Sequence, residues 1–257
     1  MIPNFTIGSL MIDSANAKRA RDFYVDVLGL EKITAFGCPA FKADNGFVIA
    51  FLETDIPHVP PVWPEEVGKE QKQMHLDFGV DDLPSAVEEA IRLGGTKAEV
   101  QFGGDDSYYV TMLDPDGHPF CLCQKSPSES PSGRVLPDVS INIDCQKQQV
   151  LREFYAQLTG WELDFHWAVL IADNGMIVCF QGCDNDATMD EYVPPVWPEE
   201  PGKQQKQMYF IYHVDDLQSA VEEAIRLGAV KPAQQDDEQA VMLIDTEGHS
   251  FCLCTPT

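Results

Sequence analysis

Basic residues are scarce in this sequence. The 17 lysines and arginines stand against 42 aspartates and glutamates, which gives a formal net charge of −25 over 257 residues. Such a chain repels nucleic acid and anionic membrane surfaces, so neither is an expected partner. No apolar run is long enough to cross a bilayer, and the N-terminus, MIPNFTIGSL, lacks the features of a secretory signal. We expect a cytoplasmic protein whose partner is a small molecule.

The spacing C-x-x-C, typical of zinc ribbons and redox sites, is also absent. Four of the eight cysteines instead form two C-x-C pairs, Cys121 with Cys123 and Cys252 with Cys254. Alternate residues of a strand share a face, so each pair is expected on one side of a strand. In a reducing compartment, buried free thiols that act as small apolar residues are the simplest interpretation.

The chain contains an internal duplication. QKQMHLDFGVDDLPSAVEEAIRLGG, from Gln71, returns as QKQMYFIYHVDDLQSAVEEAIRLGA, from Gln205, and VPPVWPEE occurs at both Val59 and Val193. A stretch rich in serine and proline separates the copies and has no periodicity, as is typical of a linker. The sequence therefore predicts two domains, 1–125 and 135–257, joined by a linker at 126–134.

Within each copy, a strand leads into a helix and then into further short strands, and this order occurs twice. Asp82 as N-cap and Pro84 in the first turn predict a helix that ends near Gly94. In MHLDFGV the apolar residues alternate with His75 and Asp77, so a strand would place these two opposite the core, on a concave face. The predicted fold class is α+β, with four β-α-β-β-β modules.

Three segments of each copy resemble the vicinal oxygen chelate superfamily, which includes glyoxalase I, bleomycin-resistance proteins and extradiol dioxygenases. They are RDFYVDVLGLE, HLDFGVDDLPSAV and LDPDGHPFCLC, with REFYAQLTGWE, YFIYHVDDLQSAV and IDTEGHSFCLC in the second copy. The resemblance implies a tandem member whose mixed, curved sheets enclose one cavity in each domain. Both a monomer and a homodimer are compatible with it.

Members of this superfamily that use a metal take its ligands from four strand positions, usually His or Gln on a module's first strand and Glu on its last. The positions implied here are Ser9, Ala50, His75 and Cys121 in the first domain, and Ser140, Cys179, Tyr209 and Cys252 in the second. Only His75 keeps a ligand type of the superfamily, whereas a divalent metal needs three or four converging donors. An inherited metal site is therefore not expected, nor is a cofactor.

Two alternatives stay open on this surface. His75, Asp77, Cys121 and Cys123 offer donors that suit zinc, so a rearranged zinc or iron site containing His75 and Cys121 is the alternative to a metal-free pocket. Cys121 beside His75 also has the composition of a thiolate–imidazolium pair, with only Asp77 to orient it. The sequence assigns no catalytic residue.

A tryptophan occupies the same place in both copies of VPPVWPEE. It is either an aromatic plug at the junction of two modules or a cavity wall that stacks on a planar ligand or a cation. The predicted cavity and ligand-binding residues are Ser9, Trp63, His75, Asp77, Tyr109, Cys121, Cys123, Ser140, Trp197, Tyr209 and Cys252.

The leading hypothesis is a glyoxalase/bleomycin-resistance-like protein that binds a small planar or cationic molecule without metal. The alternative is a metal-dependent lyase, isomerase or dioxygenase of the glyoxalase type with a rearranged site. A third hypothesis is an interaction module with no small-molecule role. Because the first copy keeps His75, Asp77 and the pair Tyr108 and Tyr109, we expect the first domain to hold the working cavity.

Overall fold

The structure is a computed structural model that describes residues 4–102, 107–125, 139–166, 168–182, 192–235, 237 and 239–256. The predicted linker at 126–134 lies outside these residues. The elements in chain order are β1 (Phe5–Ser14), α1 (Ala17–Leu28), β2 (Glu31–Ala35), β3 (Cys38–Lys42), β4 (Val48–Glu53), β5 (Met74–Val80), α2 (Leu83–Arg92), β6 (Thr96–Lys97), β7 (Tyr109–Leu113), β8 (Pro119–Gln124), β9 (Val139–Cys145), α3 (Gln148–Thr159), β10 (Glu162–Asp164), β11 (Val169–Ile171), β12 (Ile177–Gly182), β13 (Met208–Val214), α4 (Leu217–Arg226), β14 (Ala240–Ile244) and β15 (Ser250–Cys254).

The order of strands and helices confirms the predicted duplication of a two-module unit. Helix α2 begins as the sequence indicates, because the Asp82 carboxylate accepts a hydrogen bond from the Ser85 N–H at 3.1 Å. Gly94, with φ of 102°, follows its end. Asp216 caps α4 in the same way through the Ser219 N–H, at 3.0 Å.

The two sheets, however, do not follow the two repeats. Sheet 1 has the order β14-β15-β13-β1-β4-β3-β2, and sheet 2 has the order β10-β11-β12-β9-β5-β8-β7-β6. Each sheet therefore combines one module of each repeat, through antiparallel pairing of β1 with β13 and of β5 with β9. The expectation that each domain encloses its own cavity needs correction, since each concave face belongs to both repeats. The physical reason is that β5 and β13 have closely similar sequences, so alternation alone does not select the partner strand.

The core lies between the helices and the convex faces of the sheets. Leu76 and Phe78 of β5 are fully buried in it, as their alternation predicts. Tyr24 of α1 packs among the rings of Phe51, Phe78 and Phe120. Residues of both repeats belong to this one cluster. No helix of the described ranges is long and apolar enough to cross a membrane.

Two buried lysines connect the repeats at the ends of the concave faces. Lys72, which precedes β5, donates to Asp144 at the end of β9 and lies 2.9 Å from a carboxylate oxygen of Glu65. Lys206 contacts Asp13 of β1 in the same way, with Glu199 at 3.9 Å. The two repeats are thus held together by matched buried ion pairs as well as by strand pairing.

Candidate functional site

The concave face of sheet 2 gathers most of the polar residues that the sequence singled out. His75 of β5 pairs with Asn142 of β9, and Asp77 pairs with Ser140 on one side and Cys121 of β8 on the other. Residues paired across strands lie on the same face of a sheet. Six predicted residues therefore lie together here: His75, Asp77, Tyr109, Cys121, Cys123 and Ser140.

The concave face of sheet 1 carries three other predicted residues, and it is apolar. Tyr209 and Cys252 belong to a second hydrophobic cluster with Met11, Ala50 and Ile211. The third predicted residue, Ser9, pairs with Ile211; it is buried, and its hydroxyl has no hydrogen-bond partner. The four metal-ligand positions that the superfamily implies for each domain are therefore divided between the two sheets. Ser9 and Ala50 lie with Tyr209 and Cys252 rather than with His75 and Cys121, because β1 and β4 belong to sheet 1.

His75 and Asp77 form the polar centre of sheet 2. Nε2 of His75 lies 3.5 Å from Oδ1 of Asp77, and the Asn142 amide donates to Oδ2 of Asp77 at 2.8 Å. Burial, assisted by the Lys72 ammonium, lowers the pKa of His75 well below its usual value. Burial raises the pKa of Asp77, although the hydrogen bond from Asn142 opposes that rise. At neutral pH the imidazole of His75 is therefore neutral.

Two polar atoms of this centre lack hydrogen-bond partners. Nδ1 of His75 and Oδ1 of Asp77 are both buried, and neither makes a hydrogen bond. Buried polar groups in folded proteins almost always have a partner, and an unpaired one costs about 1–3 kcal/mol. Both atoms are therefore available to a ligand.

The thiols on the face are protonated rather than nucleophilic. Burial, reinforced by the Asp77 carboxylate, raises the pKa of both Cys121 and Cys123, and the same two causes raise the pKa of Cys179 to about 12. Because the pKa of His75 is lowered as well, Cys121 and His75 do not form a thiolate–imidazolium pair. The geometry gives no support to nucleophilic catalysis by Cys121.

Tyr108 and Tyr109 stand at the rim of this face. Their ring centroids are 5.3 Å apart in an edge-to-face arrangement, and Tyr109 pairs with Cys123. Burial, then the Cys121 thiol and the Asp77 carboxylate, raises the pKa of Tyr109, and Asp77 contributes to the raised pKa of Tyr108 as well. Tyr108 is 62% exposed, so one aromatic ring beside the carboxylate is open to solvent.

Trp63 and Trp197 lie over the buried lysines. The ammonium of Lys72 is 5.4 Å from the centroid of the Trp63 ring, and that of Lys206 is 5.6 Å from the centroid of Trp197. The indole N–H of Trp63 donates to the carbonyl of Val100 at 3.1 Å. The cation beside each ring is thus supplied by the protein itself, and contact of either tryptophan with a ligand stays a prediction.

An open cavity of about 450 Å³ lies elsewhere, on the helix side of sheet 2. It is bordered by Leu28 at the end of α1, Ser85 in α2, Phe78 in β5 and Val139 in β9. None of the predicted site residues lines it. The candidate site on the concave face is therefore distinct from this groove on the helix side of the sheet.

Sequence reasoning did not single out Asn142 and Thr111, which contact Asp77 and Cys121. A signal for Asn142 was present, because Ser140, Asn142 and Asp144 alternate with two isoleucines in β9. The pairing of β9 with β5 across the repeats gives this alternation its meaning, since it places Asn142 opposite His75.

Comparison with known proteins agrees with this architecture. The model of the glyoxalase-like domain family matches the chain twice, over residues 9–123 and 140–254. The chain belongs to this family. It is accordingly a tandem member of the vicinal oxygen chelate superfamily, as its sequence motifs indicate.

Solved structures of glyoxalase-like proteins match nearly the whole chain. Glyoxalase I from Zea mays is 16% identical to this chain, and the alignment covers 98% of this chain and 93% of the maize enzyme, with a TM-score of 0.62. A mutant of that enzyme is 15% identical, with coverages of 98% and 94% and a TM-score of 0.64. A putative dioxygenase from Bacillus subtilis is 12% identical, with coverages of 97% and 84% and a TM-score of 0.57. Identities this low show a common fold alone, and no curated protein matches the sequence.

The glyoxalase-like family implies a divalent metal, and the structure allows its donor set to be checked. On sheet 2 the four ligand positions hold Ser140, Cys179, His75 and Cys121, and on sheet 1 they hold Ser9, Ala50, Tyr209 and Cys252. Neither set contains a carboxylate, and magnesium, manganese or iron prefers oxygen-rich or mixed nitrogen–oxygen ligands. The residues present do not fit the metal site of the superfamily.

Proposed function

We propose that this glyoxalase-like protein binds a small organic cation on the concave face of sheet 2, with Asp77 as its counter-ion and Tyr108 and Tyr109 as aromatic walls. The proposal assigns no reaction. The metal-dependent chemistry of the superfamily has no matching donor set here, so it is not part of the proposed function.

The observation that carries the proposal is that Asp77 lacks a direct cationic partner, since the Lys72 ammonium acts to lower its pKa without forming an ion pair with it. Its side chain is 26% exposed, and its ionic contact is with His75, whose imidazole is neutral. Among the described residues, no lysine or arginine forms an ion pair with it. Asp144 and Glu65, by contrast, share the ammonium of Lys72. A carboxylate left without a cation at a partly open surface favours a positively charged ligand.

The tyrosine pair supports the same class of ligand. An aromatic ring face attracts a cation by about 0.5–2 kcal/mol, and more when water is excluded. Tyr108 and Tyr109 are close enough to Asp77 for its carboxylate to raise the pKa of both, so a planar cation at Asp77 is proposed to contact a tyrosine ring as well. The net charge of −25 adds a field that concentrates cations near the protein.

The test compares a charged ligand with a neutral one of the same shape. N-methylquinolinium, a planar aromatic cation, and neutral quinoline, which has the same ring system, form such a pair. Calorimetry gives the Kd of each. We expect the cation to bind at least tenfold more tightly, a difference of about 1.4 kcal/mol. Asp77→Asn keeps the shape and removes the charge, so it is expected to abolish this preference.

The matched control is Asp81→Asn, because Asp81 lies just beyond the same strand and its side chain is 93% exposed. This variant removes the same charge without touching the face, and it should bind as the original protein does. Equal binding of quinoline and its cation, or an equal loss in both variants, would contradict the proposed site.

A further inference from the structure

The same face holds a donor set that differs from that of the superfamily. His75, Asp77 and Cys121 each offer one ligand atom, and these three atoms all lie within 4.8 Å of one another. They come from adjacent strands, since Asp77 of β5 pairs directly with Cys121 of β8. Only His75 and Cys121 occupy ligand positions of the superfamily. Asp77 lies two residues after His75 on β5 and points to the same face.

The spacing of the donors is close to that around a tetrahedral zinc ion. Zinc bonds of about 2.0–2.3 Å at tetrahedral angles place neighbouring donors about 3.3–3.8 Å apart. Nε2 of His75 and Oδ1 of Asp77 already lie 3.5 Å apart, and the sulfur of Cys121 lies within 4.8 Å of the ligand atoms of both residues. The Asp77 side chain is 26% exposed, so the donor set lies close to the protein surface, although Oδ1 itself is buried.

Neighbouring side chains orient two of the donors. The Asn142 amide holds Oδ2 of Asp77 at 2.8 Å, which leaves Oδ1 without a hydrogen bond, and the Thr111 hydroxyl lies 3.8 Å from the sulfur of Cys121. Such supporting contacts fix ligand geometry in metal sites. His75, which is 8% exposed, has a buried Nδ1 that also lacks a partner. The unpaired, buried Oδ1 of Asp77 therefore belongs to the set, while Nδ1 is the ring nitrogen of His75 that faces away from it.

We propose that His75, Asp77 and Cys121 bind a zinc ion, with the fourth coordination position open to water or another ligand. Imidazole, thiolate and carboxylate are all zinc ligands, and the thiolate disfavours magnesium and calcium. The thiol proton of Cys121 is released to solvent as the sulfur–zinc bond forms. Zinc and an organic cation both require Asp77, so each excludes the other, and zinc is expected to control access to the proposed cation site.

Sheet 1 has the same strand arrangement but lacks two of the three donors, so it serves as a comparison for zinc binding. Tyr209, Ile211 and Cys252 stand where sheet 2 has His75, Asp77 and Cys121. Only the thiol is common to the two faces. Zinc binding is therefore expected at sheet 2 alone, and Cys252→Ser is a control that removes an equivalent thiol from the other face.

The experiment titrates the full-length, metal-free protein with Co²⁺, which gives thiolate-coordinated sites a near-ultraviolet charge-transfer band, and then displaces the cobalt with Zn²⁺. We expect one equivalent of cobalt, a band that zinc abolishes, loss of the band in Cys121→Ser, and an unchanged band in Cys252→Ser. Absence of the band in the original protein, or its persistence in Cys121→Ser, would overturn the proposal.

Asp77→Asn keeps the thiol and tests the proposed donor set if circular dichroism shows that Cys121→Ser does not fold. It should bind cobalt at least tenfold more weakly, and cobalt affinity equal to that of the original protein would exclude Asp77 from the set. Titration of N-methylquinolinium with and without saturating zinc separates the two proposals. The metal site stands if cobalt binds and the cation does not, and the cation site stands alone in the opposite case.

Discussion

The two concave faces have the same construction and opposite character. Each combines one module from each repeat, and each ends in a buried lysine that pairs with an aspartate of the other repeat. Their centres differ, because sheet 2 has His75, Asp77 and Asn142 where sheet 1 has Tyr209, Ile211 and Met11. The lysine–aspartate frame is present on both sides, whereas a histidine and a carboxylate stand at the centre of sheet 2 alone among these positions.

This comparison separates residues that hold the fold from residues that are proposed to face a ligand. Residues shared by the two faces, such as the lysine–aspartate pairs, serve the junction of the repeats. Residues that differ are free of that role, since the apolar face folds without them. His75 and Asp77 belong to the second class, which is consistent with a functional rather than a structural reason for a polar centre.

The largest effect is expected from removing a shared lysine. Lys72→Met leaves Asp144 and Glu65 buried without their cation, and breaking a buried ion pair in this way costs about 3–5 kcal/mol. Lys206→Met should cost a similar amount, because Asp13 loses the same partner. Urea unfolding of both variants measures these losses. Adding Asp144→Asn to Lys72→Met should restore part of the stability, and a loss below about 1 kcal/mol in both single variants would show that the pairs do not hold the junction.

Smaller effects on stability are expected from exchanging the central residues of the two faces, Asp77 and Ile211, and the two substitutions should differ in size. Ile211 is 5% exposed among apolar side chains, so Ile211→Asp buries a carboxyl group without a partner and should cost about 2–4 kcal/mol of unfolding free energy. Asp77→Ile relieves the burial of a carboxylate while removing its hydrogen bond from Asn142, and we expect a change within about 1 kcal/mol. Urea unfolding midpoints of the two variants test this asymmetry. Equal losses would mean that Asp77 is as structural as Ile211.

Much of this architecture could be predicted from local patterns in the sequence. The alternation in β5 placed His75 and Asp77 opposite the core, and the cap at Asp82 fixed the start of α2. These features depend on a few neighbouring residues and on backbone hydrogen bonds, so a short window contains the information. The duplication was equally visible, because it needs no three-dimensional knowledge.

What escaped prediction depends on distant contacts. The exchange of modules between repeats is decided by which of two similar strands pairs with β9, and nothing local to β5 or β13 specifies it. Lys72 lies in a polar run that suggests a solvent-exposed loop, yet it is 3% exposed because Asp144 and Glu65 meet its ammonium. The same ammonium lies 5.4 Å from the centroid of the Trp63 ring, a contact that the local motif VPPVWPEE does not specify.

The last expected effect concerns a property that the two faces share, the dependence of stability on pH. Burial raises the pKa of Asp13 and of Asp144 to about 6, against an ordinary value of 3.8. Burial also disfavours the charged form of Lys72, but Asp144 and Glu65 raise its pKa overall, so the lysine stays protonated in this range.

Because the folded state then binds more protons than the unfolded state between about pH 4 and pH 6, each aspartate makes stability fall as the pH rises through that window. The slope is at most about 1.4 kcal/mol per pH unit for each carboxyl group. Urea midpoints from pH 4 to pH 7 should decline more gently in Asp13→Asn and in Asp144→Asn, by equal amounts in the two variants. A flattening in only one of them would show that the junctions are not equivalent, and that the difference between the faces extends from their centres to the ion pairs at their ends.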